Sequence, residues 1–136
     1  MKKILVASVV WISIYLINSA FYQKYDLAKS IERGKEVYTT YCISCHMEAG
    51  NATAVLYPPL ANSDYLKKPV DTLIKVMLEG QTGEVVVNDT TYNGQMLPLN
   101  YLSNAQIADV LNYVRNSWGN KIPVAITPEK VELLRK

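Results

Sequence analysis

The chain has 136 residues, enough for a single domain, and its 14 basic and 12 acidic side chains give a formal net charge of +2. Lys2 and Lys3 are the only charged residues among the first 20, so the rest of the chain is formally neutral. This balance disfavours a nucleic-acid-binding protein, which carries a basic excess or patch. A hydrophobic content of 49% disfavours a disordered chain.

The N-terminal segment predicts export from the cytoplasm. Lys2 and Lys3 precede an apolar run over residues 4–17, the pattern of a signal peptide that ends near residue 20. The uncharged stretch continues over residues 4–23, and about 20 apolar residues can span a bilayer as one helix. A signal peptide at 1–20 and an uncleaved anchor reaching about residue 23 both stay open, and a buried soluble helix is the third interpretation. The first two place the remainder in the periplasm or on the outer face of the cytoplasmic membrane, because the lysines stay inside.

The segment after the apolar run predicts a linker, a helix and a long loop. Residues 21–29 are expected to form a short polar linker. Ser30 can cap a helix that begins at Ile31 and runs to the cysteines. Residues 47–63 contain glycine, asparagine and proline and are predicted to be a loop. A short turn is expected to follow and to end before Pro69.

The middle of the chain predicts a helix, a hairpin and another loop. Asp71 can cap a helix over 72–79, and Gly80 is expected to end it. Strand-forming residues flank an Asn-Asp pair in 84–92 and predict a small β-hairpin. Residues 92–101 are predicted to be a loop.

The C-terminal part carries the clearest helical pattern. Ser103 and Gln106 fit a capping box, apolar residues follow at spacings of three and four, and Gly119 is expected to end the helix. A short terminal helix should open at residues 127–129, where a proline occupies the first helical position. Residues 120–136 are therefore predicted to be a C-terminal extension of a domain at 30–119.

The strongest functional signal is Cys-Ile-Ser-Cys-His at residues 42–46. On a helical turn, Cys42, Cys45 and His46 share one face, so two thiols and an imidazole can reach one flat group. This spacing fits two thioether bonds to haem vinyl groups and an axial histidine, and C-x-x-C-H is the attachment motif of c-type haem. The motif predicts one covalent haem c, with His46 as an axial ligand of the iron.

A second axial ligand must be of another residue type, because the chain holds one histidine. Met1 is the start residue, and Met47 adjoins His46 too closely to cross the haem. Met77 lies on a helix face that is predicted to be core. Met96 lies in a loop 50 residues after His46, long enough to wrap the haem and present its thioether to the opposite side. Met96 is therefore the predicted second ligand.

Other uses of the two cysteines explain less of the pattern. A thioredoxin-like dithiol sits at a helix start in a βαβ context, whereas these cysteines follow a helical pattern. A structural disulfide leaves the adjacent His46 and the Met96 loop without a role. A zinc site lacks a fourth nitrogen or sulfur ligand unless carboxylates or a second chain help.

In this order, the features resemble the class I, mitochondrial-like cytochromes c of bacteria. The resemblance covers about residues 28–119 and rests on Gly34 and Tyr38 in the first helix, residues 42–46, the Pro58-Pro59-Leu60 segment, the Met96 loop and residues 109–115 in the last helix. It implies an all-α fold of three to five helices wrapped around one covalent haem. It also implies that the first and last helices cross at Gly34, with Tyr38 and Tyr113 packed at the crossing.

Two further haem contacts are expected, one from the resemblance and one from the apolar stripe of the last helix. The Pro58 segment resembles the one whose backbone carbonyl accepts a hydrogen bond from the axial histidine, which orients the ring and raises its basicity. Either Pro58 or Pro59 can supply that carbonyl. On the last helix, Val114 is expected to touch the haem ring, with Leu111 beside it.

The functional prediction is a single-electron carrier rather than an enzyme. Iron with histidine and methionine ligands has no open position for a small-molecule substrate, and this ligation raises the reduction potential. The alternatives are a membrane-anchored haem subunit of a larger oxidoreductase, a haem sensor or peroxidase-like protein with a displaceable methionine, and a thiol–disulfide protein. The domain resembles those that accompany bacterial nitrite reductases, quinoprotein dehydrogenases and terminal oxidases. Redox proteins in transient contact are the expected partners, with no nucleic acid, and with membrane association through residues 4–23 if that segment stays uncleaved.

Overall fold

The computed structural model describes residues 25–52 and 56–135. The elements in these ranges are α1 (Leu27–Tyr41), α2 (Ile43–His46), a 3₁₀ helix (Asp64–Lys67), α3 (Val70–Glu79), β1 (Val85–Val87), β2 (Thr90–Tyr92), α4 (Asn104–Val114) and α5 (Pro128–Glu132). Within both ranges, no helix is long and apolar enough to cross a membrane. The predicted signal peptide or anchor falls outside the described residues. The described part is helical with one small hairpin, as predicted.

Helix α1 starts earlier than the sequence pattern predicted. Asp26 is the N-cap, and its carboxylate accepts a backbone hydrogen bond from the first turn at 3.1 Å. Ser30, the predicted cap, is instead fully buried inside the helix, where its hydroxyl donates to the Asp109 carboxylate at 2.6 Å. The predicted linker at 21–29 therefore includes the first turn of this helix, which begins at Leu27. Both residues are good caps locally, and the distant carboxylate decides between them.

The crossing of α1 and α4 confirms the expected arrangement of the first and last helices of the domain. A Cβ atom on Gly34 would collide with the backbone carbonyl of Asp109, so only glycine allows this close approach. The ring of Tyr38 lies 5.5 Å from that of Tyr113 and 4.9 Å from that of Trp118, measured between centroids. These aromatic contacts fix the helices at the crossing point.

Helix α3 begins at Val70, because Pro69 rather than Asp71 occupies the N-cap position. Pro69 has a φ of −49°, and its carbonyl accepts the first helical hydrogen bond from Thr72 at 2.9 Å. Asp71 lies in the first turn, where a negative charge favours the helix dipole. The prediction that it caps the helix was wrong. The predicted end is confirmed, since Gly80 terminates the helix with a φ of +80°.

The predicted β-hairpin is confirmed. Val85 pairs with Tyr92 and Val87 with Thr90 in an antiparallel register. The central Asn88 and Asp89 have φ angles of 49° and 59°, the left-handed pair that a two-residue type I′ turn requires. This hairpin leads the chain from α3 into the loop that carries Met96.

Helix α4 has the predicted capping box but ends sooner than predicted. The Ser103 hydroxyl accepts from the Gln106 backbone at 3.2 Å, and the Gln106 side chain accepts from the Ser103 backbone at 2.9 Å. The helix stops at Val114 instead of continuing to Gly119. Trp118 leaves the helical path with a φ of +50°, and in this position its ring packs on Tyr38.

The C-terminal extension packs into the same core as the helices before it. Ile126 and Val131 are almost completely buried among residues of the core. The Asn112 side chain on α4 donates to the Ile126 carbonyl and accepts from the Ile126 N–H, each at 2.8 Å. The core therefore has α4 at its centre, with the extension on one side and a cavity on another.

Candidate cofactor-binding cavity

A cavity of about 470 Å³ lies between α2, α3, the hairpin, the loop after it and α4. Its wall includes every site residue that the sequence predicted, namely Cys42, Cys45, His46, Pro58, Met96 and Val114. Leu111, expected beside Val114, also lines it. Within the described ranges, no Asp, Glu, Lys or Arg side chain is part of this wall. The volume and the uncharged lining are typical of a site for a small apolar molecule.

The two cysteines lie on one helical turn with the histidine. The backbone carbonyl of Cys42 accepts from the N–H groups of Cys45 at 3.2 Å and of His46 at 2.9 Å. Because positions i, i+3 and i+4 of a helix lie on the same face, this turn directs all three side chains to one side. The segment can therefore present two sulfur atoms and one imidazole to a single group.

Both cysteines are free thiols, and Cys42 is buried. Burial, together with a smaller effect of the neighbouring Cys45, raises the pKa of the Cys42 thiol to about 11. A redox-active dithiol needs the opposite, a pKa lowered toward neutrality so that the thiolate is present. This environment therefore disfavours the thioredoxin-like alternative.

The His46 ring is held by one backbone hydrogen bond. Its Nδ1 atom lies 3.2 Å from the carbonyl oxygen of Pro58. Because a carbonyl only accepts, this bond requires the proton on Nδ1 and leaves the Nε2 lone pair available to a metal. Burial lowers the pKa of His46, against the opposing effect of the Pro58 bond, so the neutral ring is favoured near pH 7. Of the two candidate prolines, Pro58 makes the contact.

Met96 is fixed at the cavity wall by its backbone. Its N–H donates to the Gln81 carbonyl and its carbonyl accepts from the Gln81 N–H, each at 2.9 Å. Three residues further on, the Leu99 N–H donates to the carbonyl of Met77 at 2.8 Å. The loop is thus hydrogen-bonded to the end of α3 and to Gln81 just after it at two points, Met96 and Leu99. The Met96 side chain is partly buried against the hydrophobic core.

The other two methionines of the described ranges lie in different environments. Met77 is buried in the core, as predicted, but it also lines the cavity. Met47 is 44% exposed and does not line the cavity, and its carbonyl accepts from the Tyr38 hydroxyl at 2.6 Å. Met96 and Met77 both line the cavity, so either thioether could bind an iron there. Of the two, only Met96 lies in a loop, because Met77 belongs to α3.

Sequence reasoning missed the tyrosines on the wall. Among the described residues, four tyrosines line the cavity, namely Tyr41, Tyr57, Tyr65 and Tyr101. Tyr41 and Tyr101 meet edge to face with centroids 6.0 Å apart. The signal was present in the composition, where ten tyrosines accompany one phenylalanine. A tyrosine combines an apolar ring with a polar tip, which suits the edge of an apolar site.

The described residues include no cluster of three or more His, Cys, Asp or Glu side chains arranged to hold a metal ion. The nitrogen and sulfur groups on the cavity wall that can bind iron or attach a porphyrin are instead one imidazole, two thiols and two thioethers. These groups fit a flat, apolar, covalently attached porphyrin. The thiols can attach the ring, His46 can bind its iron through Nε2, and the uncharged wall can enclose it.

Comparison with known proteins gives a family match. The family described as "Cytochrome c" matches residues 31–118, from α1 through Trp118. The cytochrome c subunit of a quinone-type alcohol dehydrogenase from Gluconacetobacter polyoxogenes is 35% identical over 115 residues, covering 75% of this chain. The chain spans only 22% of that relative, so the likeness concerns one part of a longer protein.

Two further relatives differ in how much of their length is matched. Cytochrome c-552 of Thermus thermophilus is 33% identical over 117 residues, which cover 80% of this chain and 78% of the relative. The cytochrome c subunit of gluconate 2-dehydrogenase from Pantoea cypripedii is 31% identical over 127 residues, covering 88% of this chain and 29% of the relative. The chain therefore resembles both a small cytochrome and one segment of larger dehydrogenase subunits.

Proposed function

This chain belongs to the cytochrome c family, which makes it an electron carrier with covalently bound haem c, and we propose that the cavity between α2 and the Met96 loop holds its single haem. In this proposal Cys42 and Cys45 form the two thioether bonds. His46, through Nε2, and Met96, through its thioether sulfur, would hold the iron. The observation that carries the proposal is the hydrogen bond between His46 Nδ1 and the Pro58 carbonyl, which leaves Nε2 free beside two unpaired thiols.

The residues around the cavity have separate roles in electron transfer. The haem supplies an iron that alternates between the ferric and ferrous states. The Pro58 carbonyl orients the His46 ring and raises its basicity. The soft thioether of Met96 favours the ferrous state and so raises the reduction potential. The uncharged wall, including Val114, excludes water and also favours the form with the smaller charge.

This ligand arrangement supports electron transfer rather than catalysis. If His46 and Met96 both held the haem iron, no position would remain on it for a substrate. Neither residue would have to leave the iron on oxidation or reduction, so little of the protein would rearrange. We assign this work to a unit formed by residues 30–119 and completed by the packed extension at 120–135.

The proposal is tested on protein exported from cells that contain haem-attachment machinery. We expect a mass increase of one covalent haem and a low-spin absorption spectrum in both oxidation states. Cys42→Ala combined with Cys45→Ala should remove the covalent mass, whereas Ser44→Ala, inside the same motif, should keep it. Native protein exported without covalent haem would contradict the assignment.

The partners proposed for this chain are respiratory or periplasmic redox proteins. Two of the relatives are named as cytochrome c subunits of dehydrogenases, which supports a dehydrogenase as electron donor. Because residues 21–136 carry 12 basic and 12 acidic side chains, we expect electron-transfer rates to change less than about threefold between low and high salt. A steep decrease with ionic strength would contradict a contact made without a strongly charged patch.

We further propose that the chain acts outside the cytoplasm, in the periplasm or on the outer face of the membrane, as residues 1–23 suggest. A free shuttle is consistent with the match to cytochrome c-552 over most of its length. A haem subunit held by residues 4–23 is consistent with the matches to cytochrome c subunits of dehydrogenases. Fractionation after export separates these two forms. Recovery in the soluble periplasmic fraction supports the shuttle, and recovery with the membrane supports the anchored subunit.

A further inference from the structure

The C-terminal extension ends in an arginine that contacts the loop before α4. The Arg135 guanidinium donates three hydrogen bonds, to the Asn100 carbonyl at 2.6 Å, the Leu102 carbonyl at 2.7 Å and the Asn104 side-chain oxygen at 2.6 Å. All three acceptors lie within five residues of chain. One side chain is therefore hydrogen-bonded to both the end of the loop and the first residue of α4.

The arginine projects from an element that is itself fixed. Its backbone N–H donates to the Val131 carbonyl at 3.1 Å, one turn beyond α5. Val131 is completely buried, and Leu134 packs against the core. On the exposed side, Lys130 forms a salt bridge with Asp71 of α3 at 2.6 Å. Arg135 can therefore act as a rigid contact rather than as a free surface side chain.

The loop that Arg135 contacts is the one that carries Met96. At its hairpin end, the two hydrogen bonds with Gln81 hold the Met96 backbone. In its middle, the N–H of Leu99 donates to α3, and the N–H of Leu102 donates to the Leu99 carbonyl at 3.0 Å. Arg135 then closes the end next to α4. The Met96 loop is thus fastened at one end by Gln81, just after α3, and at the other by the C-terminal extension.

Charge does not explain the position of this arginine. The N-terminus of α4 carries a partial positive charge, which disfavours a nearby cation. The planar guanidinium instead offers several N–H donors in a fixed fork, which can meet two carbonyls and an amide oxygen at once. A lysine at position 135 would keep the charge but lose the fork.

We propose that Arg135 is a positioning residue for Met96: the C-terminal extension clamps the loop and keeps the methionine sulfur on the iron when other ligands compete. This inference rests on the proposed function, because it takes Met96 as the axial ligand. An external ligand binds the iron only when Met96 has left, so its apparent affinity scales with the fraction of molecules in which the loop is open. The clamp lowers that fraction.

The test is an imidazole titration of the ferric, haem-loaded full-length protein. In Arg135→Gln the apparent affinity for imidazole should rise about tenfold, equivalent to about 1.4 kcal/mol and comparable to one hydrogen bond of a charged group. Arg135→Lys should behave like Arg135→Gln, because the fork is lost in both. Lys130→Gln is the matched control, since it removes a contact of the same extension to α3 and should change the affinity less than about twofold.

Amide hydrogen exchange of Leu99 and Leu102 gives a second readout that does not depend on ligand binding. Faster exchange together with tighter imidazole binding in both Arg135 variants supports the clamp. Unchanged imidazole affinity in both variants would overturn it, even with faster exchange, and so would an equal increase in Lys130→Gln. Met96→Ala tests the premise separately: if it binds imidazole no more tightly than the native protein, the ligand assignment fails rather than the clamp.

Discussion

Helix α4 separates two buried regions of the molecule that are built differently. On one side, Val110, Leu111 and Val114 line the uncharged cavity. On the other side, Asp109 and Asn112 are buried in a polar network with α1 and the C-terminal extension. Both regions are interior, but we propose that haem completes the first, whereas the chain's own hydrogen-bonding groups complete the second.

The polar region satisfies its own charges and amides. Both oxygens of the Asp109 carboxylate accept from the Arg33 guanidinium, at 2.7 and 2.8 Å, and one also accepts from the Ser30 hydroxyl. Asn112 in turn donates to Ser30 at 2.9 Å and pairs with the backbone of Ile126. A single network therefore joins the start of α1, the middle of α4 and the extension.

The difference teaches how stability is divided in this fold. Apolar surface on the cavity side stabilises the folded state only when an apolar group covers it. Buried polar groups on the network side stabilise it only while every partner is present. Losing the cofactor should therefore affect the whole fold, whereas a network substitution should change stability and leave the haem environment intact.

Removing the haem should have the largest effect. We expect the double variant Cys42→Ala, Cys45→Ala, prepared without haem, to be largely unfolded, because a small domain with long loops depends on the apolar cofactor for part of its core. Near-ultraviolet circular dichroism during heating measures this directly. A cooperative thermal transition in the haem-free chain would show that the network side is sufficient on its own.

Breaking the network should have an intermediate effect. Asp109→Ala removes the acceptor of Arg33 and Ser30, and should lower the free energy of unfolding by about 2 kcal/mol, because the buried Ser30 hydroxyl loses its charged acceptor while the half-exposed Arg33 can be solvated. Asp71→Ala is the matched control, because its salt bridge with Lys130 is largely exposed and should contribute less than about 1 kcal/mol. Denaturant unfolding of haem-loaded protein compares the two, and equal losses would contradict the contrast between a buried and an exposed carboxylate.

The smallest of these effects is expected at the junction of α1 and α2. Tyr38→Phe removes the hydroxyl that donates to the Met47 carbonyl at 2.6 Å, and it keeps the ring that packs on Tyr113 and Trp118. The free energy of unfolding should decrease by about 1 kcal/mol, the net value of one hydrogen bond. The absorption spectrum should stay unchanged, and an altered iron ligation would mean that this bond also positions His46.

Local chemistry made part of this fold predictable from sequence. The capping box at Ser103 and Gln106, the helix end at Gly80 and the Asn88–Asp89 turn each depend on neighbours within four residues. The site signal was local in the same sense, because the cysteines and the histidine belong to one helical turn. Such features are set by short-range sterics and hydrogen bonding.

The missed features depend on contacts between distant parts of the chain. Asp26 rather than Ser30 caps α1 because Ser30 bonds to a carboxylate 79 residues away. Helix α4 stops before Trp118 because the indole packs on α1. The clamp at Arg135 joins residues more than 30 positions apart. No spacing rule within a short window predicts such pairings, since they depend on how the elements pack.

The most direct test of the central claim is the far-red absorption band that a ferric iron–thioether bond produces. The two thioethers on the cavity wall, Met96 and Met77, provide a matched pair of variants. The account predicts that the exported native protein has this band, that Met96→Ala loses it and that Met77→Leu keeps it. A band that persists in Met96→Ala, or is lost in Met77→Leu, would contradict the assignment of Met96 as the second axial ligand.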